Sequence, residues 1–318
     1  MPAWLPDGST FIYTAERRDR VDRDRCLAFV PGDGGTISRY VCRTSAPDDS
    51  INVFDEAAIQ GDSIAYVRSS TERFLPGVGP DHQELVVAAI ADPNAARLLQ
   101  RLPVTTPWGV TYDGVSYIGW LGASRLVMIG DSVRYPRPCS NCVADTVRTG
   151  IEIVTMDFSV ESATQLSVVP GTSGATSVSP GASSDTIYFT VAGDSRIHRY
   201  ALSSGQEDFP HDFGGGRVVR DVRVANGVLV AVVDGRISDG GDLHVVSLAN
   251  GTDSLIGFPL GGPALWFQRP SLSPDAQTVV VQGRELVITP IFDPVTGDVI
   301  GFDTTGAPGR DIWRAELP

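Results

Sequence analysis

The chain is 318 residues long, contains 34 glycines and 22 prolines, and carries a formal charge of −13. The acidic balance argues against nucleic acid and anionic lipid as partners. All 25 basic residues are arginines, which excludes a Walker lysine, a Schiff-base lysine and an S-x-x-K nucleophile pair.

Helical periodicity is nearly absent; short apolar runs recur between Gly, Pro, Asp and Asn. The first unit has a turn WLPDGS at Trp4–Ser9, a strand TFIYT from Thr10, a strand CLAFV after Arg25 and a strand TISRYVC ending at Cys42. The second has the turn IQGDS from Ile59, SIAYV from Ser63, LVVAAI after Glu84 and then ARLLQRL. The third has WLGAS from Trp120, RLVMI from Arg125, IVTMDF after Glu152 and then ATQLSVV. The fourth has VSPGASSD from Val178, TIYFT from Thr186, IHRYAL after Arg196 and a weaker strand near Glu207. The fifth has VANG from Val224, VLVAVV from Val228, LHVVSL after Asp242 and a weaker strand near Asp253. The sixth has LSPDAQ from Leu272, TVVVQ from Thr278 and IWRAEL after Asp311, with no fourth strand after it.

Six repeats of four antiparallel strands predict an all-β fold, a six-bladed β-propeller whose last blade lacks its fourth strand within this chain. The expected single domain spans 1–318, with blades near 2–48, 49–104, 105–170, 171–214, 215–260 and 261–318. An open third strand in the last blade invites pairing, so upstream residues absent from the chain, or a partner, are expected to supply the missing strand. The segments WLPDG, VSPGA and LSPDA, each followed by a strand and then by DIWRAEL-type runs, resemble the TolB-like β-propeller repeat. That resemblance implies a folding signature. The family includes binding subunits, peptidase propeller domains and envelope proteins, so no chemistry comes with it.

The cysteines fall in two local pairs. Cys26 opens a third strand and Cys42 closes the fourth, around the turn PGDGG, so a cross-strand disulfide is geometrically possible. Cys139 and Cys142 form CSNC in a long loop. Two disulfides, four free thiols and a four-cysteine zinc site are the competing readings, with disulfides preferred. No apolar run approaches the ~18 residues of a membrane span. Met1-Pro2 leads straight into a strand-like run, so the protein is either cytoplasmic or has lost a leader. The disulfide reading favours the second, a periplasmic or extracellular protein.

Candidate chemistry is sparse, and no catalytic, cofactor-binding or metal-ligating residue is assigned. Of the histidines His82, His198, His211 and His244, His198 and His244 occupy one repeat position, held by Trp313 in the sixth unit. They are read as structural. No G-x-S-x-G elbow or phosphate-binding glycine loop is present. Asp234, Asp239 and Asp242 do not match the EF-hand spacing and read as a polar turn.

The links between second and third strands carry more information. They are long in units one, two, three and six (15–24, 69–83, 131–151 and 284–310) and short in units four and five. These units are consecutive around a ring, so their links should crowd one side of one face. Arg17, Arg18, Arg20, Phe74, Leu75, Tyr135, Arg137, Ile291, Phe292 and Phe302 are the expected partner-docking residues. The sequence therefore points to a non-catalytic binding or scaffold subunit of a larger cell-envelope complex, one that could be membrane-bound, docking other protein subunits. The alternatives are a hydrolase or lyase at the central channel mouth and a small-molecule or glycan sensor. Convergent acids, arginines and histidines at that mouth would favour the enzyme.

Overall fold

The computed structural model describes residues 2–16, 25–42, 50–72, 82–102, 104–105, 110–134, 147–159, 165–234, 241–256, 265–292, 299–306 and 311–317. Within them the chain is a six-bladed β-propeller of antiparallel sheets. Blade one holds β1 (Ala3–Trp4), β2 (Thr10–Glu16), β3 (Arg25–Pro31) and β4 (Arg39–Val41). Blade two holds β5 (Ser50–Gln60), β6 (Ser63–Glu72), β7 (His82–Ala89) and β8 (Asp92–Leu102). Blade three holds β9 (Val104–Thr105), β10 (Thr111–Trp120), β11 (Arg125–Arg134), β12 (Val147–Asp157) and β13 (Gln165–Val168). Here β9 is a short extra strand on the inner side of β10. Blade four holds β14 (Ala175–Pro180), β15 (Thr186–Val191), β16 (Arg196–Ala201) and β17 (Gln206–Asp212). Blade five holds β18 (Val218–Ala225), β19 (Val228–Asp234), β20 (Asp242–Ser247) and β21 (Asp253–Leu255).

Blade six is built differently. Its three strands are β22 (Leu265–Leu272), the near half of β23 (Thr278–Phe292) and β25 (Asp311–Glu316), in the order β22-β23-β25. The far half of β23 pairs instead with β24 (Val299–Gly306), making a hairpin of the second-to-third strand link.

Pro-Asp turns set the second strands of blades one and six. In blade one Asp7 Oδ1 accepts from the Ser9 amide at 2.9 Å, and Gly8 takes φ 68°. In blade six Asp275 Oδ1 accepts from the Gln277 amide at 3.0 Å, and Ala276 takes φ 57° where blade one has glycine. Second strands such as VLVAVV of β19 show no alternation because neighbouring blades cover both of their faces.

The core is divided among the blade-to-blade interfaces. Leu85, Leu99, Leu126, Met128 and Met156 join blades two and three, and Val230, Leu243, Val279 and Val281 join five and six. The seam between blades six and one has a smaller cluster, Trp4, Phe11, Val30 and Val280. Across it Trp4 Nε1 donates to the Ser271 carbonyl at 3.2 Å and Arg314 Nε to the Gly32 carbonyl at 2.9 Å. The ring thus closes by side-chain packing.

Cys26 and Cys42 form a disulfide between β3 and the residue after β4, with Cα atoms 4.4 Å apart. The register Leu27↔Val41, continued by one pair, sets these two residues opposite each other. Cys139 and Cys142 lie outside the described residues. No helix among the described residues is long and apolar enough to cross a membrane.

Candidate functional site

Two regions have the makings of a site: the propeller axis and the ends of the long hairpins. At the axis, the C-terminal halves of the innermost strands β1, β5, β10, β14, β18 and β22 surround a cavity of about 420 Å³. One residue from each blade occupies the same ladder position in its wall: Trp4, Ile59, Trp120, Pro180, Val224 and Leu272. Together they form an apolar collar. Pro6 and Pro274 from the following turns edge it, with Val178 two residues before Pro180 on β14. Trp120 is fixed by a hydrogen bond from Nε1 to the Ala58 carbonyl of blade two at 3.1 Å. Gly119 must be glycine because a Cβ there would sit 2.5 Å from Pro180 of blade four.

Below the collar the strands stop being regular. The ladder slips between Asp55 and Ala57, Ser116 and Gly119, Ala175 and Ser177, Val219 and Asp221, and Gln268 and Ser271. These are bulges at one level of the ring. Three bulged residues with side chains adopt the left-handed region, Glu56 at φ 42°, Tyr117 at 54° and Arg269 at 53°. Such conformations cost free energy and commonly re-aim a side chain where function needs it. Three residues before each collar position of blades two to six stand Glu56, Tyr117, Ser177, Asp221 and Arg269.

The charged members of this set, with Arg223, converge into one cluster. Arg269 Nη1 lies 2.9 Å from Glu56 Oε1, and the Tyr117 amide donates to Glu56 Oε2 at 3.3 Å. Arg223 Nη1 lies 3.4 Å from Asp221 Oδ1, while donating to the carbonyls of Val178 at 3.0 Å and Val222 at 2.7 Å. The same guanidinium sits over the Tyr117 ring at 5.2 Å. Asp221 is only 3% exposed, and neither of its carboxylate oxygens receives a well-formed hydrogen bond.

Burial dominates how these acids titrate. It pushes Asp221 up to about 6, against the pull of Arg223 and Arg269, with the Glu56 charge adding to the rise. Burial also pushes Glu56 up, but nearby positive charge, Arg269 and Arg223 included, and the Tyr117 N–H outweigh it and hold Glu56 below the usual carboxylate range. Two carboxylates in one cluster are thus driven apart, an arrangement suited to holding one charged and one readily protonated acid. Tyr117 is raised, first by burial and then by Asp221.

The long hairpins leave from the opposite end of each blade. β6 and β7 stay paired out to Ser70↔His82, β11 and β12 to Arg134↔Val147, and β23 and β24 to Phe292↔Val299. In blade four the second and third strands pair only as far as Phe189↔His198. Of the expected docking residues, Ile291 and Phe292 lie on β23 and Phe302 on β24, among the pairs nearest the hairpin tip. Arg17, Arg18, Arg20, Phe74, Leu75, Tyr135 and Arg137 lie outside the described residues.

The histidines are engaged near the rim. His198 contacts Glu207 through Nδ1 at 2.6 Å and Asp194 through Nε2 at 3.1 Å, and stacks on Phe189. His244 Nδ1 donates to Asp253 at 2.8 Å while Nε2 accepts from Arg217 at 2.9 Å. His211 Nε2 is 4.0 Å from Asp253, and His82 begins β7.

Sequence reading missed Glu56, Tyr117, Asp221, Arg223 and Arg269. The available signal was positional: they stand at or beside one repeat position just upstream of the turn motif.

No protein-family model and no curated protein matches the sequence. Solved structures do match. TolB from Acinetobacter baumannii superposes with a TM-score of 0.56 at 14% identity, over 99% of this chain and 65% of that one. A putative TolB from Agrobacterium tumefaciens gives 0.52 at 13%, over 80% and 78%. XC5397 from Xanthomonas campestris, described as a gluconolactonase, gives 0.53 at 14%, over 88% and 81%. The chain therefore spans just under two thirds of the Acinetobacter TolB. At such identities the likeness establishes the fold, and the TolB-like resemblance holds at that level.

Proposed function

We propose that this propeller is a non-catalytic, protein-binding subunit of a larger cell-envelope assembly. The observation that carries the reading is the one-sided extension of paired strands from blades two, three and six, set against the short pairing of blade four. The connections between these strands are long, and long connections in a compact fold are usually functional. The docking set is Ile291, Phe292 and Phe302, together with Arg17, Arg18, Arg20, Phe74, Leu75, Tyr135 and Arg137. Large apolar groups and arginines are the usual anchors of protein interfaces. The Cys26–Cys42 disulfide supports an oxidising location, periplasmic or extracellular.

The test is gentle purification from the source organism, with and without residues 286–306. Partner proteins should co-purify with the full chain and be lost with the deletion. Equal recovery of partners by both would overturn the reading.

A second reading rests on the axis. Convergent Glu56, Asp221, Arg223 and Arg269 beneath a cavity are the arrangement an acid–base enzyme would use, with Asp221 as the proton-accepting group. Turnover of lactone or ester substrates that is abolished by Asp221→Asn would favour it. A full screen without turnover would leave the binding subunit standing.

A further inference from the structure

The axial cavity has an unequal lining. Among the described residues that surround it, Arg223 is the one charged side chain, set against Trp4, Ile59, Trp120, Val178 and Leu272. Its volume of about 420 Å³ falls in the usual range for small-molecule sites, which are mostly apolar with a few placed polar groups. A single cation in a chamber walled by an apolar collar, with Gln60, Ser179 and Ser271 as its polar side chains, selects a ligand with an apolar body and an anionic head. Planar guanidinium matches carboxylate geometry.

We propose that the axial cavity binds a small organic carboxylate with an apolar body, its head group held by Arg223. This site lies at the end of the propeller opposite the long hairpins, and it goes beyond the docking role proposed above.

The neighbours of Arg223 make such binding conditional. Asp221, 3.4 Å away, already shares the guanidinium and is not among the residues lining the cavity. A ligand carboxylate and an ionised Asp221 would compete for one positive charge in a poorly solvated place. The groups facing Asp221 are Arg223 on its own strand, Glu56 on β5, Tyr117 on β10 and Arg269 on β22. Glu56 is matched by Arg269. Protonating Asp221 removes the negative charge beside Arg223, and the ligand carboxylate takes its place on the cavity side. Burial already holds Asp221 near 6, so the proton is taken up readily at neutral pH. Binding the anion and protonating Asp221 are then one linked event. Asp221 acts here as a positioning residue, through Arg223.

The experiment is isothermal titration of the full chain with 4-phenylbutyrate, its primary amide and 4-phenylbutylamine as probes. The acid should bind at least about tenfold more tightly than the amide, and the amine not at all. Its Kd should tighten several-fold from about pH 8 to about pH 6, with proton uptake seen as a dependence of the heat on buffer ionisation. Arg223→Gln should remove the preference for acid over amide. Asp221→Asn should keep binding and abolish the proton uptake, which a merely structural role would not do. Equal binding of acid, amide and amine, or no binding of any probe at millimolar concentration, would overturn the proposal, and neither result requires a variant that folds. Binding of the acid with unchanged Kd across pH would remove Asp221 from it. Deleting residues 286–306 should leave acid binding intact, so loss of the docking role and loss of this site are separately visible.

Discussion

The axis and the rim of this propeller use the same charged residue types to different ends. At the rim, Arg199 pairs with Asp208, Arg196 with Asp194, and His244 with Asp253, each in or beside the sheet of its own blade. Water reaches most of these groups. At the axis, Glu56, Asp221, Arg223 and Arg269 come from three different blades, and both acids are almost fully buried. Rim pairs decorate a strand that would form without them. Axial groups are held by backbone bulges and face one another across the centre, so each depends on the others for its charge state.

The largest effect should come from breaking an axial pair. Arg269→Met leaves Glu56 buried without its guanidinium and should cost about 3 kcal/mol in urea unfolding. That is the low end for a buried pair, because the Arg269 side chain is 35% exposed. The strongest element of the rim is covalent. Replacing Cys26 and Cys42 with serine opens a loop of sequence separation 16 and should cost roughly 3 kcal/mol or somewhat less. His244→Ala removes a bonded ring wedged against Phe213 and should cost about 1–2 kcal/mol. Arg199→Ala breaks an exposed pair whose partners both face water, and a shift within about 0.5 kcal/mol is expected. Among the non-covalent pairs, a rim substitution as costly as Arg269→Met would erase the distinction between the two regions.

What was legible in the sequence follows the same division. Turn motifs such as WLPDG and LSPDA recur because each second strand needs the same entry, so the six blades could be counted. The Cys26–Cys42 pair was legible because a hairpin fixes which residues face each other. His198 and His244 were readable as equivalents, and the ladders agree: they stand opposite Phe189 and Ala231, which hold the same place in β15 and β19. The axial cluster was hidden for a physical reason. Repeats preserve residue type where blades pack alike, but at the axis the blades meet as unlike partners. Glu56, Tyr117, Ser177, Asp221 and Arg269 share a position and no common chemistry. The bulges that aim them are likewise absent from any local motif, since Glu56 and Arg269 take left-handed conformations without a glycine to announce them.

The measurement that tests the central claim most directly is the pH dependence of unfolding free energy for the native chain and for Asp221→Asn. Asp221 titrates at about 6 when folded, above its ordinary value of 3.8. The folded state therefore holds a proton that the unfolded state has released, and stability contributed by this group falls as pH rises from about 4 through about 6. The difference between the two proteins should change by roughly 3 kcal/mol across that window, with the variant gaining relative to the native chain as pH rises. Parallel curves would contradict the account, because an axial acid that titrates like a rim acid is not buried in a coupled cluster.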